Sequence, residues 1–217
     1  MAEEKLDTKI RREQLAEAAM SLVASQGLRG LSLAAVAQRV GLVPSAIYRH
    51  FKNKEELLRA VIDRVEQRLL ANVALARKET EDPLEQLQGI LMRHIRFIRE
   101  GRAVPRIIFA EDAHAGNLER RQRVLKVVGL YMGAVGDIIR QAQSEGRIRS
   151  ECDPPTLAML LLGIIVPAGI LWHLTDGRFD VTRHAQRAWQ LFLAACAVEK
   201  PTRSHANAHS RRRRRKP

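Results

Sequence analysis

Residues 27–58, GLRGLSLAAVAQRVGLVPSAIYRHFKNKEELL, decide the fold. Ser32 is placed to cap a short helix over 33–40, with Leu33, Val36, Ala37 and Val40 inward and Gly41 as its stop. Pro44 suits the first position of a second short helix reaching Phe51, because it has no N–H to leave unsatisfied. Two short helices joined by a tight glycine turn form a helix-turn-helix, whose second helix enters a DNA major groove. That second helix is too short to be stable alone. Its neighbours must hold it, and Val36, Val40, Leu42, Ile47 and Phe51 supply the small core. Its outer face then carries Val43, Pro44, Ser45, Tyr48, Arg49 and His50. Tyr48 and His50 can donate to phosphates, and Arg49 reaches a phosphate or a guanine edge. Lys52 and Lys54 flank the start of the next helix, whose free N–H groups favour an anion.

Outward from this stretch nearly every segment has helical period. A helix is expected over 8–25 with Leu15, Ala18, Ala19, Leu22 and Val23 on one face. A long helix follows Asn53 as cap, with Leu57, Leu58, Val61, Ile62, Val65, Leu69 and Val73 as its stripe. Asp82-Pro83-Leu84-Glu85 reads as a capping box opening a helix to Ile98. Further helices are expected over 105–113, from Asn117 to Gly146, from Pro154 to His173, and after Asp180. No alternating strand pattern and no internal repeat is visible. The fold class is all-α, about nine helices. An N-terminal three-helix DNA-binding domain (1–52) is joined by a long helix to a helical body (53–199). A basic tail (200–217) is expected to be disordered.

Residues 27–58 resemble the TetR family of bacterial regulators, matching its pattern at Gly27, Ser32, Ala37, Gly41, Ile47, Tyr48, His50, Phe51, Lys54, Glu55 and Leu57. The resemblance covers about residues 10–65, and beyond them extends only to architecture. Two positions depart. Val43 stands where the family often has serine or threonine, and Ser45 where glycine or alanine is common, so no operator sequence carries over. Ser32 replaces the usual threonine and can still cap its helix and meet a phosphate. The resemblance implies a cytoplasmic bacterial homodimer, nucleoid-associated when bound, on a near-palindromic duplex. Repression, relieved by a small-molecule effector in the body, is also implied by the family.

The body offers candidates for both expected roles. The helix over 154–173 is apolar nearly all round, so it needs partners on more than one face. Leu161, Ile165, Trp172, Trp189 and Phe192 are the expected dimer-interface residues. Polar or soft side chains within apolar stripes mark an effector pocket: His94, Phe97, Arg106, Phe109, Asp112, Met132 and Met159. Each of these also reads as an ordinary core residue.

Composition excludes several classes. The net charge is +13, but residues 200–217 hold eight positive charges and no acid, leaving +5 elsewhere, so the high pI belongs mostly to the tail. That tail either adds phosphate affinity through counterion release or is a solvated extension. Cys152 and Cys196 form no CxxC pair. No metal site, cofactor or catalytic motif is expected: GxSxG, a Walker loop and HExxH are all missing. Glu111, Asp112 and His114 sit too poorly on one helix end to converge. The charged N-terminus lacks a signal-peptide core. The most apolar run, 157–172, falls short of the roughly 20 residues a bilayer requires, so no membrane is expected. Two rival readings remain: an architectural DNA-binding protein without an effector, and a carrier or enzyme with a vestigial helix-turn-helix.

Overall fold

The computed structural model describes residues 2–100 and 117–198. They form seven α-helices: α1 (Ala2–Gln26), α2 (Leu33–Arg39), α3 (Lys54–Glu79), α4 (Pro83–Arg99), α5 (Leu118–Ser144), α6 (Pro154–Leu174) and α7 (Val181–Cys196). Two 3₁₀ turns, Leu28–Gly30 and Ala46–Arg49, lie among the first three. Among the described residues there is no strand, only an isolated antiparallel bridge between Ile148 and Ala197. The helix expected over 105–113 lies outside the described residues.

Helix starts follow local chemistry. The side chains of Ser32, Asn53, Asp82, Asn117, Asp153 and Asp180 each accept a backbone N–H from the turn they open. Such caps satisfy N–H groups that have no partner within the helix. One expectation needs correction. Glu85 does not reach back to Asp82 as a capping box requires; its carboxylate accepts the Thr80 hydroxyl at 2.7 Å. Thr80 Oγ1 in turn accepts the Asp82 N–H at 3.2 Å, so a threonine two residues upstream takes over that half of the box.

α3 is the spine. It packs against α1 at its front, and against α4 and α5 behind. Leu57, Leu58, Val61, Ile62, Val65, Leu69 and Val73 are buried along it, as the stripe predicts. α6 packs on α4, α5 and α7. It buries Leu157, Ala158, Leu161, Ile165 and Ala168, while Met159, Leu160, Ile170 and Leu171 stay exposed. At 21 residues it is long and apolar enough to cross a membrane by length and composition, a criterion the shorter apolar run had been expected to fail.

Candidate nucleic-acid interface

α1, α2 and the front of α3 hold the segment that follows α2. Gly41 ends α2 at φ +74°, a conformation that costs a residue with a Cβ. The Leu42 N–H donates to the Ala37 carbonyl at 2.9 Å and the Gly41 N–H to Gln38 at 3.1 Å. These two bonds close a Schellman motif and fix the turn angle. The segment then runs as a 3₁₀ turn over Ala46–Arg49 rather than the α-helix expected from Pro44 to Phe51. The reason is local. Val43 offers no side-chain acceptor and the Ser45 side chain makes no cap bond, so nothing caps an α-turn at this start. The chain closes i→i+3 bonds first, from Ala46 N–H to Val43 and from His50 N–H to Ile47, both 2.9 Å, and makes one α-type bond at its end, from Phe51 N–H to Ile47 at 2.9 Å.

Burial splits this segment into two faces. Ile47 and Phe51 are fully buried with Val36, while Val40 and Leu42 pack at the edge of the same core. On the other side Val43 is 65% and Tyr48 60% exposed. Pro44, Ser45, Arg49 and Lys52 are exposed, His50 is half-buried, and Ser32 is exposed at the start of α2. Every predicted DNA-contact residue is thus exposed, except His50, which is half-buried. Two have internal duties as well. Ser32 Oγ accepts the Ala35 N–H at 3.1 Å. Lys54 Nζ donates to the Leu28 carbonyl at 3.1 Å, which engages one of its three donors within the protein.

A charged anchor holds the trailing end of the segment, and sequence reading missed it. The Arg12 guanidinium lies 4.4 Å over the Phe51 ring. It donates to the His50 carbonyl and to Glu56 Oε1, the latter at 3.0 and 3.1 Å. Glu56 Oε2 accepts the Lys52 N–H at 2.8 Å. That backbone bond, with Arg12 beside it and against the opposing effect of burial, holds the Glu56 carboxyl below its ordinary pKa. The arginine of an amphipathic helix gives no sequence signal for a contact with a residue 44 positions away.

In the body, His94 and Tyr131 are buried among apolar side chains, with Asn72 beside them. Tyr131 Oη lies 3.1 Å and Asn72 Nδ2 3.3 Å from His94 Nδ1. Asn72 Nδ2 also donates to the Ile90 carbonyl at 3.1 Å. Burial lowers the His94 pKa to about 4, so the ring is neutral at physiological pH. Burial also pushes the Tyr131 hydroxyl far up, keeping it a donor. Phe97 meets His94 edge-on at 6.2 Å, and Met132 packs at the rim of the core. Tyr131 and Asn72 were not anticipated, although each is a polar residue set in an apolar helical stripe.

Other expectations shift. Met159 is 56% exposed and so does not line an interior pocket. Arg106, Phe109, Asp112, Glu111 and His114 lie outside the described residues, as does the tail. Leu161, Ile165, Trp189 and Phe192 are buried within one chain, with Trp189 stacked on Phe192 at 5.4 Å. These four are core rather than interface, because α6 packs against α4, α5 and α7, and α7 against α4 and α6. Trp172 is half-buried. The exposed apolar surface of α6 and α7 comprises Met159, Leu160, Ile170, Leu171, Leu174 and Leu191. Among the described residues no group of three or more His, Cys, Asp or Glu side chains is placed to hold a metal.

Comparison with known proteins places these features. Residues 15–61 match the family model of bacterial regulatory proteins, tetR family, and residues 80–196 that of the tetracyclin repressor-like, C-terminal domain. The chain is 26% identical over 199 residues to the nucleoid occlusion factor SlmA of Sodalis glossinidius (strain morsitans), covering 89% of this chain and 98% of that protein. A structure described as the molecular basis for control of antibiotic production by bacterial hormones superposes with a TM-score of 0.73 at 26% identity, covering 87% of this chain and 98% of the other. The transcriptional regulator FadR from Bacillus subtilis in complex with stearoyl-CoA gives 0.68 at 21%, covering 83% and 97%.

Proposed function

The chain belongs to the TetR family of bacterial regulatory proteins, and from that premise we propose how its parts divide the work of a DNA-binding transcriptional regulator. The reading head, residues 1–52, presents Val43, Pro44, Ser45, Tyr48, Arg49 and His50 to a major groove. Ser32, Lys52 and Lys54 meet flanking phosphates. The observation that carries this reading is the two-faced segment: Ile47 and Phe51 fully buried, Tyr48 and Arg49 exposed. An apolar anchor with a polar, cationic outer face is what groove docking requires. A gel shift on DNA flanking the chain's own gene, with Tyr48→Ala and Arg49→Ala beside the wild type, tests it.

The chain acts as a homodimer, bound to a near-palindromic operator, in the cytoplasm of a bacterium. The exposed apolar face of α6 and α7 supports this, since two copies of it bury one another across a two-fold axis. The role is binding, with no catalytic step assigned to any residue. The body, residues 53–199, holds the effector. The neutral His94–Tyr131–Asn72 cluster, with Phe97 and Met132 beside it, suits a largely apolar ligand with an uncharged hydrogen-bonding group. The relative solved with stearoyl-CoA supports a small-molecule effector in such a body. Effector binding favours a head spacing that no longer spans both half-sites, and repression lifts.

A second reading, an architectural DNA-binding protein without an effector, is favoured by the nucleoid occlusion factor among the relatives. A thermal-shift screen of acyl thioesters and other small apolar ligands separates the two, because only a sensor is stabilised by a ligand.

A further inference from the structure

The first turn of α3 carries two adjacent carboxylates that serve different parts of the molecule. Glu56 holds the reading head through Arg12 and the Lys52 N–H. Glu55 holds α5: Arg120 Nε and Nη2 donate to its two oxygens at 3.2 and 2.9 Å. Four residues on, Arg59 pairs with Glu119 at 3.1 Å. Four further, Asp63 Oδ1 accepts Arg123 Nε at 2.7 Å. Residues 55, 59 and 63 share one helix face by their spacing. The charge order on α3 is thus minus, plus, minus, and α5 answers it pair by pair.

The pairs differ in weight. Arg59 and Glu119 have side chains 43% and 68% exposed, and an exposed pair contributes little. The Arg120 side chain is only 13% exposed and its bond to Glu55 is two-pronged, the geometry in which an arginine fixes orientation as well as distance. This pair joins the opening turn of α5 to the opening turn of α3. The reading segment hangs from that same turn of α3 through Glu56. A shift of α5 therefore reaches Tyr48 and Arg49 through two consecutive residues.

We propose that Glu55–Arg120, seconded by Asp63–Arg123, is a clasp that sets the angle of the reading head against the body, so that Glu55, Asp63, Arg120 and Arg123 are positioning residues for two-half-site DNA recognition. This rests on the dimeric regulator proposed above. The clasp touches no base and no buried core. Its contribution is confined to keeping two heads in register, which adds affinity only where both half-sites are engaged together.

The test uses a duplex selected from a randomised pool by the wild-type chain, and the same duplex with one half scrambled. Glu55→Gln and Arg120→Gln each weaken full-site binding by about tenfold, a part of the roughly hundredfold or more that linked binding adds, and leave half-site binding within about twofold. Glu55→Gln removes a negative charge, so a purely electrostatic effect on DNA strengthens binding; the clasp predicts the opposite at the full site. The charge exchange Glu55→Arg with Arg120→Glu restores a substantial part of the full-site affinity. Asp63→Asn gives a smaller loss of the same pattern, and serves if either first variant fails to melt cooperatively. Equal losses on both duplexes, no loss on either, or no recovery in the exchanged pair overturns the clasp. A wild-type chain that binds full and half sites equally contradicts the dimeric reading itself, and the clasp falls with it.

Discussion

Arg12 stacks its guanidinium 4.4 Å above the ring of Phe51, a contact between residues 39 positions apart in the chain. The same guanidinium bonds the His50 carbonyl and the Glu56 carboxylate. One side chain thus ties α1, the end of the reading segment and the start of α3. A lysine carries the charge but not the planar fork that meets ring, carbonyl and carboxylate at once. Arg12→Lys is expected to lower stability by about 1 kcal/mol, near the value of a partly desolvated cation–π contact, and Arg12→Ala by more. Chemical denaturation followed by circular dichroism checks the order of the two.

Ile47 and Tyr48 are sequence neighbours with opposite roles. Ile47 is fully buried, and its truncation leaves a cavity under the reading segment. Ile47→Ala is expected to cost about 2–5 kcal/mol. Tyr48→Ala, on the outer face, is expected to change stability by no more than about 0.5 kcal/mol. Thermal melting of the two variants side by side distinguishes an anchored reading segment from one packed the other way round.

Stability should depend on pH through His94. Its pKa is lowered from 6.5 to about 4 by burial in the folded chain. The unfolded chain binds a proton at higher pH than the folded chain does. Stability is therefore full above pH 6.5 and falls as the pH drops toward 4, by an amount on the order of 3 kcal/mol if this group acts alone. The depressed carboxyls of Glu56 and Asp82 act in the same direction, but only below their ordinary values of 4.5 and 3.8. Urea midpoints between pH 4.5 and 7 therefore isolate the histidine. His94→Gln is expected to flatten the slope in that window.

The face of α6 predicts the assembly. Leu160 and Leu171 are exposed on a single chain, whereas Leu161 is buried. Leu160→Glu or Leu171→Glu is expected to turn a dimer into a monomer in sedimentation velocity, with the melting of each chain's own core retained. Leu161→Ala is expected to cost about 2–5 kcal/mol of stability instead.

How much of this was legible in the sequence depends on distance along the chain. Caps at Ser32, Asn53 and Asp82 were readable because a cap and the N–H it meets lie within three residues. The inward residues Val36, Ile47 and Phe51 were readable because periodicity assigns a face. The 3₁₀ geometry over Ala46–Arg49 was not, since an α-turn and a 3₁₀ turn differ by one residue in bond spacing and share the same outward residues. Trp189 and Phe192 were misjudged because an apolar face on a helix does not say which helix covers it. Arg12–Phe51 and Glu55–Arg120 join positions 39 and 65 apart, and no local pattern marks such partners.

The central claim is that the outer face of the segment after α2 contacts DNA. Fluorescence anisotropy of a duplex from the flank of the chain's own gene, titrated with wild type, Tyr48→Ala and Arg49→Ala over a range of salt, tests it most directly. Both variants are predicted to bind at least about tenfold more weakly while folding normally, and loss of the Arg49 charge from the groove lowers the salt slope. Wild-type affinity and an unchanged salt slope in both variants would contradict it.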